Sequence, residues 1–178
     1  MITLSVDIGL RLVQLQADDA EELFNLTNAN RAHLRRWLPW LDQTRSVAAT
    51  AHFIGYTQQE AEGGKALHFA IYDQGIIVGL CGYNRIDKDN RAAVIGYWLG
   101  ADVQGRGIMS RCVMTLALYG FAKLNLHRQI IAVAAENQSS AAVAERCGFR
   151  FEGMARDAEW LYDHYVSHRI YARLRTDA

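Results

Sequence analysis

Gly105 and Gly107 flank one arginine in the run Gln104-Gly105-Arg106-Gly107-Ile108-Met109-Ser110, just after the apolar stretch Gly96-Tyr97-Trp98-Leu99. A long apolar-periodic segment follows immediately. A strand that feeds a glycine-rich turn at the start of a helix is a place where an anion can be held. Glycine takes positive φ without a Cβ penalty, so successive backbone N–H groups can converge beside the positive end of the helix dipole. Such a cradle suits the pyrophosphate of a nucleotide-like cofactor and needs no metal. On a purely structural reading, the same glycines serve only the bend of a loop.

Other reactive residue types are less organised. Cys81, Cys112 and Cys147 are far apart with no CxxC pair, which argues against a zinc cage or a disulfide framework and fits a reduced, cytoplasmic compartment. Cys112 and Cys147 read as helix core. None of the six histidines belongs to an HExxH signature, and metal binding is not expected. The cysteines also lack a Cys/His/Asp arrangement of the kind that activates an enzyme nucleophile.

The elements that must position the cradle come next. At 178 residues and 51% hydrophobic composition, the chain fits a single domain over 1–178 with a sizeable core. Nineteen basic residues balance nineteen acidic ones, so no bulk charge draws it to nucleic acid or to an anionic membrane. No apolar stretch approaches the roughly 20 residues of a membrane span, and the N-terminus lacks a signal pattern.

Alternation predicts strands over 2–6 and 10–15, then a helix capped by Asp18, a short helix over 32–38 that Pro39 interrupts, and a helix from Ser46 through Ala61. Strands over 67–72, 76–83 and 92–99 follow, separated by the turns Asp73-Gln74-Gly75 and Asp87-Lys88-Asp89-Asn90. Beyond the glycine turn come a helix over 108–124, a strand over 128–135, a helix over 139–147 and a strand over 150–154. The segment from Trp160 to Leu174 reads as a closing hairpin around Asp163-His164. The class is mixed α/β with an antiparallel first half.

Strand, Gln104-x-x-Gly107, helix, strand, then Asn137-x-x-Ser140 on a helix ending Cys147-Gly148-Phe149 resembles the GNAT superfamily of acyl-CoA-dependent N-acetyltransferases. Ile95-Gly96-Tyr97-Trp98-Leu99, Gln104-Gly105-x-Gly107-Ile108-Met109-Ser110 and Ala158-Glu159-x-Leu161 are similar to its Rim-type branch, which acetylates the N-termini of ribosomal proteins. The resemblance spans nearly the whole chain. The superfamily pattern ends in Gly or Ala where this chain has Met109, a bulkier start to the helix. The fold it implies is a largely antiparallel central sheet with splayed central strands and helices on both faces.

The resemblance also implies site residues. Backbone N–H groups from Gln104 through Gly105, Arg106, Gly107 and Ile108 to Met109 would bind the pyrophosphate of acetyl-CoA, with Arg106 adding charge. Trp98 and Leu99 would lie near the thioester, on a strand whose free backbone groups pair with the pantetheine amides. Asn137 would contact pantetheine, or cap its helix, or both. Ser140 takes the place of a tyrosine that protonates the departing thiolate in many relatives, and reads as an orienter or weak acid. A thiolate with a pKa near the ~8.5 of cysteine leaves readily without full protonation. Glu159 is the candidate general base, against the plain alternative of a solvated strand charge; Glu152 and Asp157 are poorer candidates.

An α-amine of pKa about 8 is roughly a tenth neutral at pH 7, whereas a lysine at about 10.4 is almost wholly charged, so a weak base suffices for an N-terminus. Direct attack in a ternary complex then needs no covalent enzyme intermediate. Trp37 and Trp40, around Pro39, read either as an aromatic rim for a peptide acceptor or as a staple of the helical layer. A protein N-terminus is the favoured acceptor. Polyamines, amino acids and antibiotics are the alternatives within the enzyme class, and a non-catalytic acyl-CoA sensor is the alternative outside it. Many relatives dimerise, so the resemblance also brings a homodimer as an expectation.

Overall fold

The computed structural model describes residues 1–177. The strands are β1 (Thr3–Asp7), β2 (Leu10–Gln14), β3 (Leu67–Asp73), β4 (Ile76–Asp87), β5 (Ala92–Leu99), β6 (Arg128–Ala134), β7 (Arg150–Leu161) and β8 (His164–Leu174). The helices are α1 (Ala20–Ala29), α2 (Arg31–Arg35), α3 (Val47–Glu62), α4 (Ile108–Ala122) and α5 (Gln138–Arg146). All eight strands join one sheet in the order β1-β2-β3-β4-β5-β6-β8-β7. Only β5 and β6 run parallel; the other neighbours are antiparallel, as expected of a largely antiparallel sheet.

Turn chemistry explains much of this. Gln74 and Gly75 take positive φ between β3 and β4, and Ser46 accepts the Ala49 N–H at 3.1 Å to start α3. Helix α2 stops at Arg35, earlier than expected: the N–H groups of Trp37 and Leu38 both return to Leu34 O, and Pro39 cannot continue the ladder.

Strand β7 is longer than the predicted 150–154. Ala155 lies opposite His168 and Glu159 opposite Val166, so three residues of β7 oppose Ser167 alone. This bulge, with Asp157 at φ 47°, breaks the alternation that would reveal a strand.

Helices cover both faces. Leu116 and Ala117 of α4 and Ala141 and Ala144 of α5 pack with Phe69, Tyr83 and Ile131 on one face, whereas Leu23 of α1 and Ile54 of α3 meet Ala70 and Leu80 on the other. In the first layer Tyr83 is fully buried and donates to Leu116 O at 2.7 Å, while Gln129 Nε2 donates to Ala117 O at 2.8 Å. Gly120 makes room for this network: a Cβ there would stand 2.1 Å from Tyr83 Oη and 2.9 Å from Gln129 Nε2. Gly120→Ala should therefore destabilise the fold by about 1–3 kcal/mol, despite the ~1 kcal/mol that alanine adds to helix propensity. In denaturant titrations, adding Tyr83→Phe should make the pair less than additive, because it removes the clashing oxygen.

Candidate active site

The parallel pairing of β5 with β6 runs only from Ala92 opposite Arg128 to Ile95 opposite Ile131. Beyond it, Gly96 to Leu99 keep their partners on β4, and Ala132 to Ala134 keep theirs on β8, but the two strands no longer meet. The result is a wedge-shaped gap with the free backbone edge of Gly96 to Leu99 along one side. An extended ligand with amide groups can complete that edge.

The glycine turn closes one end of the gap. Gly105 has φ 74° and Gly107 has φ 69°, and a Cβ at either would point into open space. Gly107 is the N-cap of α4 and supplies no side-chain acceptor, and the first bond of the helix is Arg111 N–H to Gly107 O at 3.2 Å. Among the described residues, the N–H groups of Gly105 through Ser110 therefore find no acceptor. They converge at the positive end of a fifteen-residue helix, an arrangement that fits a pyrophosphate. Ile108 and Met109 are buried in the core, so the bulk of Met109 points away from the cradle.

Side chains around the cradle form a frame that the spacing of the sequence does not reveal. Arg106 lies 3.2 Å from Asp73, at the end of β3, with about half of its side chain exposed. Arg111 reaches Asp7 at 2.8 Å and Arg106 O at 3.3 Å. Gln104 Nε2 meets His33 Nε2 at 2.8 Å, and Ala101 N–H donates to Asn30 Oδ1 at 2.9 Å. The loop between β5 and α4 is thus tied to α1 and α2.

Across the gap, Asn137 is the N-cap of α5 and accepts Ser140 N–H at 3.1 Å. Its cap function is realised, and its amide N–H groups have no partner among the described residues. Ser140 Oγ lies 3.1 Å from Tyr97 Oη, and the Tyr97 hydroxyl donates to Ser140 O at 3.0 Å. Burial pushes the Tyr97 phenol well above its ordinary value. Tyr97 escaped sequence reasoning because an aromatic in a strand reads as core.

Parity along the strands separates two faces. Ile95, Tyr97 and Leu99 belong to the core under α4 and α5, whereas Trp98 packs with the cluster of α1 and α3. Glu159 lies opposite Val166, two residues from His168, and both share the Trp98 face, because Tyr171 and Arg173 of β8 reach Glu145 and Cys147 on the other. Trp40 joins this face, its ring 6.3 Å from that of Trp98. The Arg36 guanidinium stands over the ring of Trp37 at 5.3 Å.

The hairpin tip holds the Trp40 segment in place. Tyr162 donates its hydroxyl to Leu38 O and accepts Leu41 N–H at 3.3 Å, with the Arg35 guanidinium 3.7 Å above its ring. Glu152 is engaged elsewhere, in an ion pair with Arg128.

The thiols contribute no nucleophile: burial raises the Cys81 and Cys147 pKa values and pushes Cys112 up to about 12. Among the described residues, no group of three or more His, Cys, Asp or Glu could hold a metal ion.

Known proteins are similar to this chain over nearly its whole length. The acetyltransferase (GNAT) domain family matches residues 9–150. This chain belongs to that family. The ribosomal-protein-serine acetyltransferase of Escherichia coli is 31% identical over 172 residues, covering 97% of this chain and 96% of that protein.

Among solved structures, the ribosomal L7/L12 α-N-protein acetyltransferase RimL in complex with coenzyme A superposes with a TM-score of 0.94 at 31% identity, covering 97% of this chain and 98% of that one. The microcin C7 self-immunity acetyltransferase, in complex with acetyl-CoA and AMP, has a TM-score of 0.91 at 32% identity, covering 95% and 94%. The protein is a GNAT N-acetyltransferase that uses acetyl-CoA.

Two substitutions test the cradle. Gly107→Ala must hold φ 69° with a Cβ, a strain of about 1–2 kcal/mol, which the turn would relieve by moving its N–H groups out of line. Acetyl-CoA affinity by calorimetry should fall about tenfold or more while the circular dichroism spectrum is unchanged. Asn137→Ala should lower stability by about 1 kcal/mol through the lost cap.

Proposed function

We propose that this GNAT enzyme acetylates the N-terminal α-amine of a protein, in the cytoplasm, as a single domain. The observation that carries the reading is the grouping of Glu159, Trp98 and Trp40 on one face of the gap, opposite the cradle side. The near full-length similarity to an enzyme named for ribosomal-protein serine acetylation supports it.

In this reading the N–H groups from Gly105 to Met109 hold the pyrophosphate, and the edge of Gly96 to Leu99 pairs with the pantetheine amides. The thioester then lies in the gap beside Trp98 and Leu99. Arg106, balanced by Asp73, contributes less positive charge at the pyrophosphate than a free arginine would. Asn137 combines its cap with a contact to pantetheine through the free amide N–H groups.

The acceptor approaches from the Glu159 face. Its neutral amine attacks the thioester carbonyl, the C–S bond breaks, and CoA leaves as a thiolate that takes up a proton. Ser140 orients the leaving group through the Tyr97 pair rather than acting as the acid on which the reaction depends. Loss of Ser140 should therefore cost less than loss of the cradle. Trp40 offers the apolar wall against which the first residues of a peptide pack.

The similarity to the microcin self-immunity acetyltransferase favours a second reading, in which the acceptor is an amine of a small antibiotic-like molecule. Thiol release from acetyl-CoA, measured with Ser- and Ala-initiated peptides beside spermidine, amino acids and aminoglycosides, separates the two. Release with the peptides is expected, and Glu159→Gln should lower kcat/KM by about a hundredfold or more with acetyl-CoA affinity unchanged. Release with small amines alone would overturn the peptide acceptor.

A further inference from the structure

Glu159 does not stand alone on the acceptor face. His168 Nε2 lies 3.4 Å from Glu159 Oε2, with 16% of the histidine side chain and 30% of the glutamate side chain exposed. The bulge in β7 makes this meeting possible. It inserts two residues between the pairs Ala155–His168 and Glu159–Val166, an even number, so Glu159 returns to the face of His168 as a diagonal neighbour.

Position matters as much as contact. His168 lies opposite Ala134, the last residue of β6, beyond the point where β5 has left the sheet. Ala132 and Ala134 are the β6 residues on that face, so no bulky side chain of β6 stands between the imidazole and the gap.

We propose that His168 and Glu159 act as a dyad that takes the proton of the acceptor ammonium. The proposal rests on the reading above only in placing the acceptor on the Glu159 face, and it holds for a peptide or a small amine alike. The carboxylate sits beside Nε2 and favours the tautomer with its proton there, leaving the Nδ1 lone pair to receive a proton directly or through one water. The acceptor ammonium gives one proton to the dyad and becomes the neutral nucleophile. Its nitrogen then forms the new bond to the acetyl carbon as the C–S bond breaks. A second proton leaves that nitrogen and ends on the CoA sulfur, and the dyad returns the first to solvent. An imidazole is better matched to this task near neutral pH than a lone carboxylate, whose weak basicity gives little driving force.

The surroundings contain few other charges that could blur its titration. On the imidazole's own face, Ala134 of β6, Ala155 of β7 and Val166 and Ile170 of β8 carry none. Trp98 and Trp40 line the far side, and cations of the helical layer are engaged elsewhere, Arg31 on the carbonyls of Leu41 and Thr44 and Arg35 on Asp42. Among the described residues, Glu159 is the charged side chain within ion-pairing distance.

The test is the pH dependence of kcat/KM, followed from pH 5 to 9 with whichever amine proves to be an acceptor. The dyad must be unprotonated to take the ammonium's proton, so log kcat/KM should rise with slope one at the acid end and level off within the imidazole range, below the amine's own pKa. In His168→Gln the ammonium must lose its proton to solvent, so the rise should continue to the amine's own pKa, with kcat lowered about a hundredfold and acetyl-CoA affinity unchanged. In Glu159→Gln kcat should fall with His168 still present, because the carboxylate no longer fixes the imidazole tautomer.

A rise that continues to the amine's own pKa in the unmodified enzyme, or a His168→Gln profile that still levels off within the imidazole range, would overturn the dyad while leaving the acceptor assignment intact. Should His168→Gln fail to bind acetyl-CoA, His168→Asn measured in the same way takes its place, and a profile that still levels off within the imidazole range overturns the proposal. The acceptor panel fails or succeeds separately, since the slopes do not depend on which amine is used.

Discussion

The early end of parallel pairing between β5 and β6 is the constraint on which the rest of the site depends. Backbone N–H and C=O groups withdrawn from water must find partners, so a gap in the middle of a sheet is costly unless each side is secured from behind. Here β4 holds β5 through Gly79 opposite Leu99, and β8 holds β6 to its last residue, Ala134 opposite His168. The position of β8 between β6 and β7 follows from the same need. The free edge of Gly96 to Leu99 is thereby left to a ligand rather than to another strand.

The gap divides the chemistry between two faces. On one, α4 presents its unpaired N–H groups and α5 presents Asn137 and Ser140, so charge is held by backbone dipoles and a few neutral hydrogen bonds. On the other, Glu159 and His168 meet on the face that carries the indoles of Trp98 and Trp40. The carboxylate and the unpaired N–H groups stand on opposite faces, and the alternation of a strand makes that separation a matter of one residue.

Two ties keep the helical layer aligned with this division. Asn30 and His33, at the junction of α1 and α2 and within α2, bond to Ala101 and Gln104 of the loop that carries the cradle. Tyr162, at φ 61° in the turn between β7 and β8, bonds to Leu38 and Leu41 on either side of Trp40. Displacement of either tie would move Trp40 or the glycine turn relative to the gap between β5 and β6.

The cradle was legible in the sequence because its physics is local: two glycines, a preceding apolar strand and a following helix suffice to orient N–H groups wherever the segment lies. The order of elements, the Ser46 cap, the Gln74-Gly75 turn and the Asn137 cap were legible for the same reason. Glu159 could be named by resemblance, but its cross-strand neighbours could not, because the bulge at Arg156 to Ala158 shifts the register without marking the sequence. The partners of charged and polar groups were likewise beyond it. Asp73 on Arg106, Tyr97 on Ser140 and His168 on Glu159 are meetings between distant elements, and only the sheet order and register determine which side chains come within reach of each other.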